Sequence, residues 1–269
     1  MTQDDQPQTA PYGDEIFTAS TGSEYDRLVG LAAGCDPDTT ALLQTLGLPE
    51  NARCVELGAG TGSMSTWLAD TFPAVSVTAT DRDPRFLERL DDPRITVRRH
   101  DILEDDFPPQ SFDLIFARNL LCHLPRREQA LSRMTSWTAP GGIVLIEDTC
   151  LSFALGTPDP VFRRAVDAVA KVLAATIGSD LTGWARAFPE PLHRHGLEAV
   201  GSRMACPPLL GGTPVAHAWT TSLEQLRTPI TSQGLLTEAE LTEAVGRLED
   251  PAFVDYGQAL IAAWGRVPD

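Results

Sequence analysis

Arg53-Cys54-Val55-Glu56-Leu57-Gly58-Ala59-Gly60-Thr61-Gly62-Ser63 is a short apolar run that breaks into three glycines at alternate positions. The run reads as a buried strand, and Ser63 to Phe72 behind it reads as a helix. A strand, a glycine-rich turn and a helix bring backbone N–H groups and a helix N-terminus to the carboxyl edge of a sheet. Glycines there let a ligand come close to the backbone. A dinucleotide fingerprint would run G-x-G-x-x-G. Ser63 stands where its third glycine belongs, so no pyrophosphate cradle is indicated. Taken alone, the triplet also fits a tight structural turn.

The pattern repeats beyond that stretch. Ala74 to Thr80 is β-branched and predicts a strand ending at Asp81, followed by a helix over Pro84 to Leu90. Ile95 to Arg99 predicts a strand ending at His100-Asp101, and Phe112 to Ala117 another. Arg126 to Thr138 reads as a helix, Pro140-Gly141-Gly142 as a turn, and Ile143 to Ile146 as a strand. Successive β-α-β units with short loops imply a Rossmann-like, doubly wound, mainly parallel α/β sheet. Upstream, Ser23 to Ala33 (N-cap Ser23) and Pro37 to Leu46 read as two helices. Downstream, Pro160 to Ile177 is a long amphipathic segment. Gly183 to His195 looks like a loop with a short helix, and Gly196 to Val200 a turn and strand. Thr237 to Leu248 and Phe253 to Trp264 read as two further helices, the first opened by a capping box.

Acids mark the strand ends. At the end of the second strand, the Asp81 carboxylate can accept both hydroxyls of a ribose. At the end of the third, Asp101 can accept from an exocyclic adenine amine. Either residue alone would pass for a turn or cap. Together with the glycines they form a set at three consecutive strand ends.

Over residues 53 to 148 the chain resembles the class I methyltransferases that use S-adenosylmethionine (SAM). Val55 to Gly62 matches the family's first motif, Thr80-Asp81-Arg82-Asp83-Pro84 its second, and His100-Asp101-Ile102-Leu103 its adenine-side motif. Ser111 to Arg118, Leu120 to Leu124, and Ala139-Pro140-Gly141-Gly142 with Ile143 to Glu147 match the strand, helix entry and turn that follow. The resemblance implies SAM as cofactor, bound by Glu56, Gly58, Ala59, Gly60, Gly62, Asp81, Arg82, Asp101, Ile102, Arg118 and Asn119. It extends more weakly to Ser23 to Leu28, which looks like a lid helix with Tyr25 covering SAM and Arg27 near its carboxylate. The implied organisation is a flexible tail over 1–20, a SAM-binding core with N-terminal helical lid over 21–150, and a helical cap insert with C-terminal completion of the core over 151–269.

Methyl transfer is an in-line displacement that needs alignment and a dry site, plus a base where the acceptor must lose a proton. His123, after the fourth strand, and Glu147, ending the fifth, are the candidate catalytic groups. No His, Asp or Glu spacing suggests a metal site. The aromatic residues Phe153, Phe162, Trp184, Phe188 and Trp219 of the cap favour a small-molecule substrate.

Composition narrows the classes. The 269 residues carry a net charge of -16, with a single lysine, Lys171. That balance disfavours nucleic acid and anionic membrane surfaces, which need clustered cations. The five cysteines include no Cys-x-x-Cys pair. No signal-like or membrane-length apolar run is present, so a cytoplasmic protein is expected. The sequence is compatible with a homodimer without deciding it. The leading expectation is a methyltransferase acting on O, N or C of a small, biosynthetic, secondary-metabolite substrate. A SAM-binding enzyme of another reaction, such as cyclisation, elimination or decarboxylation, is the alternative. A non-catalytic subunit is disfavoured, since the glycines and the ribose acid are intact.

Overall fold

Helix α1 runs from Gly22 to Leu43. In this computed structural model, which describes residues 12–14, 16–18 and 22–269, it is the first regular element. The two helices expected here are one. Pro37 lies inside it, where the missing N–H costs a single backbone hydrogen bond without ending the helix. Ser23 is therefore in the first turn rather than at the cap. The tail expected over 1–20 falls mostly outside the described residues. Within it, however, Ile16 and Phe17 are buried, so the short pieces that are described pack onto the protein.

The core then alternates: β1 (Arg53–Leu57), α2 (Ser63–Thr71), β2 (Ser76–Asp81), a 3₁₀ turn (Pro84–Arg89), β3 (Ile95–Arg99), β4 (Phe112–Arg118), α3 (Arg127–Trp137) and β5 (Thr138–Cys150). After α4 (Ser152–Leu155) and α5 (Pro160–Ile177) come α6 (Glu190–Arg194), β6 (Glu198–Ala205), β7 (Pro208–Leu210), α7 (Pro214–Gln225), α8 (Arg227–Ser232), α9 (Glu238–Glu249), β8 (Val254–Tyr256) and β9 (Ala259–Arg266). Seven strands form one sheet in the order β3-β2-β1-β4-β5-β9-β6, and β7 and β8 form a separate ribbon. Strands β1 to β5 pair in parallel, while β9 is antiparallel to both β5 and β6.

The strand period of two splits the core into layers. Val55, Leu57, Ile115, Ala117, Val144 and Ile146 face one cluster, with Leu131, Met134, Phe162 and Val166 of α3 and α5. Their alternates Cys54, Leu114, Phe116, Ile143 and Leu145 face the other, with Leu42 and Leu43 of α1 and Met64 and Leu68 of α2. Covered on both faces, these strands are mostly apolar at their centres, with Glu56 as the buried exception in β1. Strand β1 pairs with β2 and β4 so that its C-terminal end, and the glycine loop, fall at mid-sheet where the order reverses. That crevice is where ligands bind in such sheets.

Two expectations are corrected. Phe253 to Trp264 is not a helix. Ala259-Leu260-Ile261-Ala262-Ala263-Trp264 lies in β9, with Trp264 opposite Leu145 on one side and Gly201 on the other. A short alanine-rich apolar run suits a helix or a buried strand, and pairing on both edges selects the strand. The Pro140-Gly141-Gly142 turn is an irregular part of β5 rather than a break before it. Gly141 has φ 69°, and the pairing jumps from Phe112↔Thr138 to Leu114↔Ile143.

The helices after β5 are fixed by strong local signals. Asp159 accepts from the N–H groups of Val161 and Phe162, both at 2.9 Å. Pro160 follows it, and Gly178 closes α5 at φ 72°, an arrangement that stops a helix at both ends. Helix α9 carries the expected capping box between Thr237 and Glu240. Gly30 of α1 lets α7 approach closely, since a Cβ there would sit 2.4 Å from the Pro214 carbonyl oxygen.

Gly62 opens α2 at φ 78°, and a Cβ on it would lie 2.7 Å from Leu90 Cδ1. Gly62→Ala is therefore expected to cost about 1–3 kcal/mol through backbone strain and overpacking. Urea unfolding of the two proteins measures it. An unchanged midpoint would show that this contact does not constrain the loop.

Candidate functional site

The carboxyl ends of β1 to β5 open into one cavity of about 910 Å³. On the β1 side the chain turns through Gly58 (φ 66°) and Gly60 (φ 57°), both left-handed. The Ala59 N–H donates to the Thr80 carbonyl at 2.8 Å, tying the loop to the end of β2. The Gly60 N–H donates to Asp81 Oδ2, and the Asp83 N–H to Asp81 Oδ1, each at 3.0 Å. Each carboxylate oxygen keeps a free lone pair. Burial pushes the Asp81 pKa above the usual carboxylate range, and the Asp83, Gly60 and Arg82 amides work against that push. Asp101 fixes its own turn by accepting from the Leu103 N–H at 2.9 Å. Beside it, Ile102 is buried on the cavity wall.

Beneath the loop lies a buried polar network. Ser65 Oγ donates to Glu56 at 2.5 Å, and Thr39 Oγ1 to Glu147 at 2.7 Å. Arg118 donates to Asp36 (2.6 Å) and to Thr39 Oγ1 (3.0 Å). Burial raises the pKa of both Glu56 and Glu147 to about 7, against the pull of these hydroxyls and of Arg118. Asn119 continues from Arg118 at φ 51°. Its N–H donates to the Glu147 carbonyl oxygen, and its Oδ1 accepts from Thr149. The network thus joins α1 to the ends of β1, β4 and β5.

On the far side, His123 Nδ1 is 2.7 Å from Ser179 Oγ. Burial, with help from Arg27 and Arg127, depresses its pKa to about 3, so the imidazole is neutral near physiological pH. Tyr12 packs against it with ring centroids 4.9 Å apart. Arg27 is held by Glu24 through two contacts of 2.7 Å, bonds the Tyr12 hydroxyl, and lies 4.0 Å over the Phe17 ring. The other wall arginines are also occupied: Arg82 by Asp14, Arg85 by Asp83 and Arg126 by Glu104. Arg99, exposed at the end of β3, has no ion-pair partner among the described residues.

Most of the expected site residues line this cavity: Arg27, Glu56, Gly58, Ala59, Gly60, Asp81, Arg82, Asp101, Ile102, Arg118, Asn119 and His123. Three do not. Tyr25 instead packs edge-on to Phe86 at 5.3 Å, under Arg89. Gly62 packs against Leu87 and Leu90. Glu147 is turned to Thr39 of α1, which puts its carboxyl in the buried polar network. Of the aromatic residues expected to favour a small molecule, Trp219 lines the cavity; Tyr12, Phe17, Ser179 and Gln258 were not anticipated. The Ile16-Phe17 pair, apolar within a polar stretch, was the one available signal for the first two.

The described residues hold no cluster of His, Cys, Asp or Glu able to bind a metal ion. The donor set does fit SAM. A buried carboxylate with two open acceptor positions suits a ribose diol. Gly60 leaves room for it, since a Cβ there would meet only Leu28 Cδ1, at 3.8 Å. At Gly58, by contrast, a Cβ would lie 3.0 Å from Leu120 Cδ1.

Residues 55–144 match the family described as methyltransferase domain. Methyltransferase str3 of Strobilurus tenacellus is 33% identical over 129 residues, 48% of this chain and 46% of that protein. Trans-aconitate 2-methyltransferase of Variovorax paradoxus is 37% identical over 110 residues, 39% of this chain and 42% of that protein. The chain spans about half the length of the curated relatives it matches. Among solved structures, Haemonchus contortus phosphoethanolamine N-methyltransferase 2, in complex with phosphomonomethylethanolamine and S-adenosylhomocysteine, superposes with a TM-score of 0.57 at 19% identity. The match covers 87% of this chain and 53% of that one. At that identity the likeness speaks for the fold alone.

Proposed function

We propose, from the premise that the chain belongs to the class I SAM-dependent methyltransferases, that it transfers a methyl group to an oxygen, nitrogen or carbon of a small biosynthetic molecule. The observation that carries this reading is the convergence of Asp81, Asp101 and the Gly58–Gly60 backbone on a cavity that continues past His123 under α5 and α7. SAM, when bound, supplies an already activated sulfonium methyl group. Asp81 would hold the ribose and Asp101 the adenine side, with Arg27 and Asn119 nearer the methionine end. The chain's own contribution is then alignment and exclusion of water. The cap supports this, because Leu151, Val169, Leu173 and Trp219 close the cavity with apolar surface.

His123 is a weak base by its depressed pKa, and Glu147 faces away. The reading therefore favours an acceptor that is nucleophilic without help, with His123 accepting a hydrogen bond from it. The activity should accordingly lack an acid limb from a histidine near its usual pKa of about 6.5. The five cysteines are free thiols, which suits a reducing compartment, and no described helix is long and apolar enough to cross a membrane.

The test is transfer of isotope from methyl-labelled SAM to product, read by mass spectrometry, with S-adenosylhomocysteine counted in parallel. Labelled product with equal S-adenosylhomocysteine is the expected result. An unlabelled, rearranged product with SAM intact would replace methyl transfer by the alternative of a cyclisation, elimination or decarboxylation, in which the SAM charge only stabilises.

A further inference from the structure

The cavity has two walls of different chemistry. The wall after β1 to β3 carries acids and backbone donors. The wall formed by α5, α7, the loop after β5 and the segment after α5 carries Leu151, Val169, Leu173, Ile177, Leu181 and Trp219, and no charged side chain. Arg27, at its edge, is already bound by Glu24 and Tyr12, and Arg118 by Asp36. The one wall arginine without an ion-pair partner among the described residues, Arg99, lies exposed at the opposite end, after β3. Glu147 and Asp148, the buried acids of β5, do not line the cavity. Asp148 is instead turned to the Trp184 indole N–H at 2.8 Å.

Besides Ser222, whose hydroxyl donates to the Ala218 carbonyl oxygen, two polar groups remain on the apolar wall. His123 is held through Nδ1 by Ser179, which leaves Nε2 without a partner among the described residues. Gln258 uses its Oε1 to accept from Trp219 Nε1 at 2.7 Å. Its amide NH₂, without a partner among the described residues, remains to donate.

We infer that the acceptor is a neutral, predominantly apolar molecule whose protic group meets His123 and whose second oxygen meets the Gln258 amide. The inference rests on the methyltransferase reading and narrows it to a substrate class. A carboxylate or phosphate entering this wall would lose its water shell and find no free cation, and an ammonium would find no free acid. Either is strongly unfavourable in an apolar enclosure. An apolar body gains from the same surface.

The experiment uses the whole chain loaded with S-adenosylhomocysteine and the neutral solvatochromic dye Nile red. Calorimetric binding of S-adenosylhomocysteine is measured first, and its absence would reject the methyltransferase reading separately. Saturable, blue-shifted Nile red fluorescence is expected, displaced by decanol or 1-naphthol. Trans-aconitate and phosphoethanolamine at about a hundredfold higher concentration should displace none of it, the ratio expected from roughly 3 kcal/mol of uncompensated desolvation. Val169→Asp should weaken dye binding at least tenfold while S-adenosylhomocysteine still binds. Should that variant unfold, the wild-type competition decides by itself. Failure of Nile red to bind the loaded protein, displacement by either charged compound, or release of S-adenosylhomocysteine when either is offered with SAM would overturn the proposal.

Discussion

Asp81→Ala is expected to weaken SAM binding about a hundredfold and leave the chain folded. The carboxylate accepts from Gly60 and Asp83 and has two acceptor positions left at the end of β2. Hydrogen bonds to a charged group contribute about 1.5–3 kcal/mol each, so losing the two that a ribose diol would make accounts for a factor of this size at the low end of that range, about 3 kcal/mol. The Gly60 N–H is also released, which loosens the loop that approaches the ligand. Asp81→Asn should lose less, since one oxygen remains. Titration of each variant with S-adenosylhomocysteine reads the effect, and circular dichroism confirms the fold. An affinity within threefold of wild type would remove Asp81 from the site.

Stability should fall as pH rises from about 5 to 8, and Glu147→Gln should flatten that fall. Burial lifts the folded pKa of Glu147 from 4.5 to about 7, and Glu56 behaves alike. Between those values the folded chain holds a proton that the unfolded chain has lost. The stabilisation is full below the unfolded pKa and is lost as pH climbs through the folded one, by about 3 kcal/mol per carboxyl. Acids with lowered pKa, such as Asp113 beside Arg53, act in the opposite sense below this window, and the buried histidines His123 and His100, whose pKa values are depressed, offset part of the fall inside it, up to about pH 6.5. A glutamine can still accept from Thr39 and carries no charge. Glu147→Gln is therefore expected to match wild type near pH 5 and melt several degrees higher near pH 8. Equal pH dependence in the two proteins would show that the Glu147 carboxyl is ionised in the folded chain throughout.

The sheet core was legible because its signals are local. The glycine run, Asp81, Asp101 and the apolar strands each announce themselves within a few residues. The last strand was not, because Ala259 to Trp264 is ambiguous in isolation and becomes β9 only by pairing with β5 and β6. The merging of two helices across Pro37 was hidden for the same reason: Asp36 and Thr39, which flank the proline, are tied to the end of β4 through Arg118. At the site, sequence order placed Glu147 at the reactive edge but could not say which way its side chain turns. In a strand, neighbours face opposite sides, and Glu147 turns to α1. Ser179 and Gln258 lie far along the chain from His123 and Trp219, so no spacing rule could join them.

The most direct test of the SAM site is calorimetric titration of the unmodified chain with S-adenosylhomocysteine. One-to-one, saturable binding that Asp81→Ala weakens is the expected outcome. Absence of any binding heat from a folded, monodisperse sample, at ligand concentrations up to the millimolar range, would contradict it.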